Sequence, residues 1–426
     1  MLSKLTLEGV GPAKRLEVDF SERLNLITGD NGVGKSFLLD IAWWGLTHTW
    51  PSGVEQVLPR EDSTVTRIQC EYSAGTPRSG SSVNTYDYTN LRWEPVSYNP
   101  SKSPEVLVYM QADGRFSVSD PARGFTIKTP IGSVLAPFLF ESHEIWAGLK
   151  VEDQWRCNGL YRDWASWQRE KNEAFEQLKR AIGTLSPPNE ELHPGALKRI
   201  SVDDVQDYPT IHMPYGIDVP VIHASSAIRR ILALAYLLIW TWQEHLQAAA
   251  LRRQQPAREL VLLIDEVEAH LHPSWQKRIL PAILNVMEKM TGSTEPPKIQ
   301  IIASTHSPLV CVSLEDFFDS ETDRLLDLDL DPANGIKIES VPFAKHGSAE
   351  KWLLSRNFDL KTSYSEPAEK SLAAASALVA QELAQPGSVT PAEFKKHDLA
   401  LRKTLPDIDP YWVTWRRIAE KRGWLS

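Results

Sequence analysis

The stretch LNLITGDNGVGKS, Leu24–Ser36, constrains this chain more than any other. An apolar run, a glycine-rich turn and a helix-like FLLDIAWWGL follow one another directly. The turn fits G-x-x-x-x-G-K-[ST] over Gly29–Ser36. A strand ending in such a loop can aim successive backbone N–H groups at one phosphate chain. Gly32 and Gly34 let the backbone approach with no Cβ in the way. Lys35 suits the β- and γ-phosphates, and the Ser36 hydroxyl suits Mg²⁺. The helix that opens there adds the positive end of its dipole. The expected nucleotide contacts are therefore Gly29, Asp30, Asn31, Gly32, Val33, Gly34, Lys35, Ser36 and Phe37. An ordinary glycine-rich turn is the alternative, and the strand before and helix after argue against it.

At 426 residues the chain suits two or three folded units, and 42% apolar residues suffice for a sizeable core. A net charge of −9 argues against a surface coated for nucleic acid, but leaves room for a local basic groove. The cysteines Cys70, Cys157 and Cys311 are odd in number and widely spaced. They offer no disulfide framework or zinc pair, so a reducing, cytoplasmic setting is expected. The first twenty residues alternate like strands and lack the apolar core of a signal peptide. The apolar run Ile231–Trp242 is too short to span a bilayer and suits a buried helix.

Residues 64–130 read as short alternating strands, whereas EIWAGLKVEDQW and YRDWASWQREKNEAFEQLKRAIGTL, within 141–185, carry helical spacing. A long helix is expected over 221–249. ELVLLIDE at 259–266 and IQIIAST at 299–305 are apolar without alternation, the pattern of a parallel sheet covered on both faces. The tail from 365 reads as helical, with Tyr411, Trp412 and Trp415 on a stripe that packs against a neighbour.

The apolar strand of LVLLIDE puts Asp265 and Glu266 at the carboxyl edge of such a sheet, where ligands sit. Asp265 is expected to hold Mg²⁺, and Glu266 to orient and polarise the attacking water. A solvated strand end is the bland alternative. His306, in Ser304–Pro308 after the next strand, is placed to touch a γ-phosphate. Ser225 opens the long helix as an N-cap. A sharper reading has Ser225 and Ser226 bind the γ-phosphate of a nucleotide held by a second subunit.

The order of Gly29–Ser36, Ser225–Arg230, LLIDEVEAHLHP and STHSP resembles that of ATP-binding-cassette ATPases. The set is similar to the soluble branch with OLD-like, RecF-like and Rad50/SMC-type members. GDNGVGKS, EAHLHP and THSPL look OLD-like. NGLYRDWASWQ and DPYWVTWRRIAEKRGW look most like the ATPase subunit of Septu-type antiphage systems. The resemblance implies an α/β fold: a head with a mixed β lobe and a parallel sheet flanked by helices, a helical lid and a helical C-terminal region. It implies a first ATPase lobe over 1–140, a lid insertion over 141–210, a second lobe over 211–345 and a helical partner or oligomer region over 346–426. It implies ATP and Mg²⁺ as ligands, a dimer or higher oligomer with the Ser225 helix acting in trans, and a separate nuclease subunit, with nucleic acid reached through that complex.

Two departures matter. Ala227 stands where the family places glycine. A Mg²⁺-contacting glutamine belongs between the first two motifs, for which Gln111 and the FLFES segment at Phe138–Ser142 compete. Glu268, His270 and His272 are either a metal set or part of a dimer interface, and the resemblance favours the interface. Only Glu141–Leu185 is available for a lid, too little for a long coiled coil. Asp327, Asp329 and Asp331 mimic a nuclease pair, but their alternation predicts one solvated strand face, so a built-in nuclease is not expected. A transporter's ATPase subunit, whose partners would supply the membrane segments, is disfavoured by the THSP ending and the Trp-rich lid, so no membrane is expected. A RecF-like ATPase that binds duplex DNA, and a nucleotide-gated scaffold with little turnover, remain the alternatives.

Overall fold

The computed structural model describes residues 1–72, 80–97, 106–129, 132–290, 297–331 and 335–424. Five parallel strands form the centre of one sheet, four of them apolar segments that lack polar alternation, β1 (Leu24–Gly29), β2 (Val106–Met110), β3 (Glu259–Ile264) and β4 (Lys298–Ser304), and one that alternates Leu with Asp, β5 (Asp323–Asp331). They lie in the order β2-β3-β4-β1-β5 and all pair in parallel. The first four are buried on both faces, which is why their sequences read as nearly continuous apolar runs. Antiparallel strands finish the eight-stranded sheet, Phe116–Ser119 and Phe138–Phe140 beyond β2 and Gly335–Val341 beyond β5.

A second sheet of five antiparallel strands is ordered Ala13–Asp19, Leu2–Val10, Arg67–Tyr72, Gly80–Asp87, Arg92–Ser97. Between the sheets runs helix α1 (Lys35–Thr47). Its Leu38, Ile41 and Trp43 join Leu5 and Leu7 from one side and Val261 and Ile302 from the other in a single apolar core. A helix covered by sheets on two sides buries most of its circumference, so FLLDIAWWGL has little amphipathic period to show. Helix α2 (Ser226–Arg252) carries the longest buried face and packs on the helices Glu173–Leu185 and Ile279–Met290.

Three readings of the sequence are corrected. Within EIWAGLKVEDQW the helix lasts only over Glu144–Ala147, and Leu149–Cys157 is a hairpin. Gly148, at φ 104°, ends the helix, and Glu152 and Asp153, at φ 50° and 61°, make the turn. Local conformational limits override the helical spacing there. Within the helical lid expected over 141–210, residues from His193 form short strand pairs that run on to Pro220. Nor do the three aspartates of β5 share one solvated face. Asp329 is exposed, but Asp327 is buried beside Thr28, whose Oγ1 donates to its Oδ1 at 3.2 Å.

Residues from Leu353 form a separate compact unit. Its helices Glu366–Ala384, Pro391–Thr404 and Tyr411–Arg422 share a core in which Phe394 and Trp415 stack at 4.3 Å. Trp412 and Trp415 are buried in that core, so the aromatic stripe packs within its own unit. All three cysteines are buried free thiols. Among the described residues no helix is long and apolar enough to cross a membrane.

Candidate functional site

The loop between β1 and α1 is shaped by its glycines. Gly29 has φ 138°, and a Cβ there would lie 2.0 Å from the Leu328 carbonyl oxygen of β5. Gly34 is the N-cap of α1 at φ 100°, and Gly32, at φ 80°, has no atom of the described residues beyond its chain neighbours within 4 Å of where its Cβ would be. Asp30, Asn31, Gly32 and Ser36 are exposed, whereas Val33 is buried and anchors the loop. The Phe37 side chain turns toward Gly11 and packs on the core. An open rim over a fixed floor suits an anion held by main-chain N–H groups.

Lys35 reaches back over the loop. Its Nζ donates to the carbonyl oxygens of Gly29 at 2.7 Å and Asp30 at 2.8 Å. It lies 3.4 Å from Nδ1 of His306. Burial pushes the Lys35 ammonium down to about 8, against the opposing pull of Asp265, Glu266, Glu268 and Asp30. A partly desolvated cation at a glycine-rich loop is a site with affinity for anions.

Parallel register brings the other residues to the same edge. Ile264 lies opposite Met110 and Ala303, and Ser304 lies opposite Ile27. The residues that follow these strand ends, Gln111, Asp265 and Thr305, therefore emerge together beside the loop. Asp265 is buried, its N–H donates to the Met110 carbonyl at 2.8 Å, and its Oδ1 accepts from Ser304 Oγ at 2.7 Å. Glu266 adopts φ 46° and donates its N–H to the same Ser304 Oγ at 2.8 Å. Left-handed backbone at a non-glycine residue persists only where its surroundings hold it.

Gln111 is the better placed of the two glutamine-segment candidates. It directly follows β2, the neighbour of β3, and its side chain is buried. Its Nε2 donates to the Ser52 carbonyl at 3.0 Å, while its Oε1 has no hydrogen-bond partner among the described residues. Phe138–Phe140 lies at the far rim of the sheet. An orphaned buried oxygen next to Asp265 fits a hard cation that takes oxygen ligands.

His306 is half-buried at the tip of β4. Burial first, and the Lys35 charge second, lower its pKa, so the ring is neutral at neutral pH. Its backbone is tied by a residue that sequence reasoning assigned to an interface. Glu268 accepts from the His306 N–H at 2.5 Å and from Thr305 Oγ1 at 2.7 Å. His270 is exposed and His272 caps the helix that starts at Pro273, so the Glu268, His270 and His272 set does not converge. Among the described residues no group of three His, Cys, Asp or Glu side chains forms a metal cluster. Asp40 escaped notice too. It faces β2 from α1, accepts from Tyr109 Oη at 2.9 Å, and burial raises its carboxyl to about 6.

At the start of α2, Ser225 Oγ accepts from the Ile228 N–H at 3.4 Å, the ordinary capping bond, while Ser226 is exposed. The fold thus gathers Lys35, Gln111, Asp265, Glu266 and His306 at one edge. It leaves the Ser225–Ser226 turn facing solvent.

A family model described as "AAA domain, putative AbiEii toxin, Type IV TA system" matches residues 134–313, and one described as "AAA domain" matches residues 4–92. The chain is 24% identical over 360 residues to the Septu protein PtuA of Bacillus thuringiensis, covering 82% of this chain and 80% of that one. It is 34% identical over 100 residues to the Retron Ec83 probable ATPase of Escherichia coli, covering 24% of this chain and 15% of the relative. The SMC head domain from Thermotoga maritima aligns with 80% of this chain and 99% of that one at 15% identity and a TM-score of 0.39. With the loop, the acidic strand end and the histidine at one sheet edge, and with the Septu relative spanning most of its length, the chain resembles ABC-type ATPases of the Septu kind.

Proposed function

We propose that this chain binds ATP between the Gly29–Ser36 loop and the Asp265–Glu266 edge, hydrolyses it there, and pairs with a second copy around the nucleotide. The observation that carries this reading is the convergence of four strand ends. They bring Lys35, Gln111, Asp265, Glu266 and His306 together with an open glycine rim. Main-chain N–H groups of Asp30 to Ser36 would receive the phosphates, and Lys35 would exchange its bonds to Gly29 and Asp30 for phosphate oxygens. Ser36 and Asp265 would hold Mg²⁺, with the free Oε1 of Gln111 turned to the same task. The ion would neutralise charge on the phosphates when bound. The Glu266 carboxylate orients a water for in-line attack on the γ-phosphorus and accepts its proton. The bond to the β-bridging oxygen breaks, ADP leaves, and inorganic phosphate is released. His306, neutral, donates a hydrogen bond to the γ-phosphate and reports its loss. Most of the work is positioning and charge neutralisation.

In this reading Ser225 and Ser226 face the γ-phosphate bound by the other copy, and Ala227 keeps that approach slightly looser than glycine would. The assembled dimer controls a separate nuclease, of HNH type by resemblance, in defence against phage. Nucleic acid is met through that complex. Sedimentation velocity on the full chain tests the pairing. ATP with Mg²⁺ should convert the Glu266→Gln protein to a dimer, and the Lys35→Ala protein should stay unchanged under the same conditions. A Glu266→Gln protein whose mass ignores ATP would remove the two-copy reading.

A further inference from the structure

Arg230 lies one turn into α2, just beyond Ser225 and Ser226, and is only 7% exposed. Its guanidinium has an unusual set of partners. Nη1 donates to the carbonyl oxygen of Ala112 at 2.9 Å and stands 3.5 Å from that of Gln111. Nη2 donates to the carbonyl oxygens of Asp265 at 3.2 Å and Glu266 at 3.1 Å. Four main-chain carbonyls, from the loops that leave β2 and β3, thus meet on one side chain from a third element. Burial draws the guanidinium down to about 10, so it stays charged at neutral pH. Among the described residues its buried Nε has no hydrogen-bond partner, and the side chain helps to line a cavity of about 190 Å³ with Ser226, Arg229 and His270.

A buried arginine is often simple glue between elements. The geometry here is more specific. The Glu266 peptide is held from two directions, its N–H by Ser304 Oγ and its carbonyl by Arg230 Nη2. The residue held this way sits at φ 46°, a conformation that relaxes once one hold is released. The same guanidinium fixes the main chain at Gln111 and Ala112. A planar fork with rigid spacing imposes distance and angle on both loops at once, which a lysine ammonium cannot do. A shift in the first turn of α2 therefore displaces the backbone of both groups together. That first turn is the exposed Ser225–Ser226 segment.

We propose that Arg230 is a positioning residue that couples the arrival of a second subunit's nucleotide at Ser225–Ser226 to the placement of Glu266 and Gln111 in its own subunit. This rests on the reading that two copies close on ATP. Arg230 touches no nucleotide itself. It sets turnover and the cooperativity of turnover with ATP, and leaves the capture of ATP by the Gly29–Ser36 loop unchanged.

The test measures ATP affinity by equilibrium dialysis and steady-state turnover against ATP concentration, on full-length protein. Arg230→Ala should keep ATP affinity within about threefold, lose about thirtyfold in kcat, and show non-cooperative kinetics. Guanidinium ion added to Arg230→Ala should restore part of kcat. Arg230→Lys retains the charge and serves where the alanine protein is unstable, and it should show the same split between kcat and affinity. A double-mutant cycle reads the coupling itself. Ser226→Ala should lower kcat in the wild-type background and have no further effect in the Arg230→Lys background. Wild-type kcat in Arg230→Lys, or independent multiplication of the two effects, overturns the proposal while leaving the two-copy reading intact. Ser226→Ala with wild-type turnover and wild-type dimerisation overturns both.

Discussion

Lys35 Nζ lies 3.4 Å from Nδ1 of His306, with its other hydrogen bonds spent on the Gly29 and Asp30 carbonyls of its own loop. The ammonium is thus parked at the mouth of the cradle beside the residue assigned to sense the γ-phosphate. Burial disfavours its charge, and only an anion relieves that cost fully. Lys35→Ala should weaken ATP binding by about a hundredfold or more, the loss expected of charge-assisted bonds to phosphate. It should leave thermal stability equal to or above wild type, because a poorly solvated cation is removed. Equilibrium dialysis and a melting curve on the same sample check both.

Glu268 fastens the loop that bears His306 through two acceptor bonds, to Thr305 Oγ1 and to the His306 N–H. Removing it frees the loop without touching the cradle. Glu268→Ala should reduce kcat about tenfold while ATP affinity stays within about threefold. Glu268→Gln keeps one acceptor oxygen and should lose less. Turnover and binding measured side by side distinguish this from a loss of fold.

Gly29 admits no side chain. A Cβ would meet the Leu328 carbonyl at 2.0 Å, and φ 138° is strained for any L-residue. Gly29→Ala should destabilise the chain by about 2–4 kcal/mol, measured by urea denaturation, or displace β5 and abolish ATP binding.

How much of this was readable beforehand depends on how local each signal is. Gly29–Ser36 announces itself because the glycine turn, the lysine and the following helix lie within a few consecutive residues. LVLLIDE and STHSP were legible for a related reason, since apolar strands end abruptly in polar groups. Gln111 was not, because nothing local distinguishes it from FLFES. Its place follows from β2 pairing with β3, which is more than a hundred residues away in sequence. Arg230 looks like any charge near a helix start until four carbonyls surround it. Asp327 misled because alternation implies a wet face only where that face is uncovered, and Asp327 is buried beside Thr28.

Asp40 gives a pH signature. Burial raises its carboxyl from 3.8 to about 6, with the Tyr109 hydroxyl opposing. The folded chain therefore holds this proton more tightly than the unfolded chain. The stabilisation is complete below pH 4, falls as pH rises toward 6, and is lost above that. Asp40→Asn keeps an acceptor for Tyr109 and removes the buried charge. It should raise stability at pH 7 by about 1–3 kcal/mol and flatten the slope between pH 4 and 6. Denaturant titrations of both proteins across that range check the effect.

The account as a whole turns on Glu266 working at an ATP held by the Gly29–Ser36 loop. The direct measurement is phosphate release in a single turnover by Glu266→Gln, alongside its ATP affinity. The predicted result is affinity equal to or tighter than wild type, with phosphate release slowed by about a hundredfold or more. Wild-type release by Glu266→Gln, or no measurable ATP binding by the wild-type chain, would contradict it.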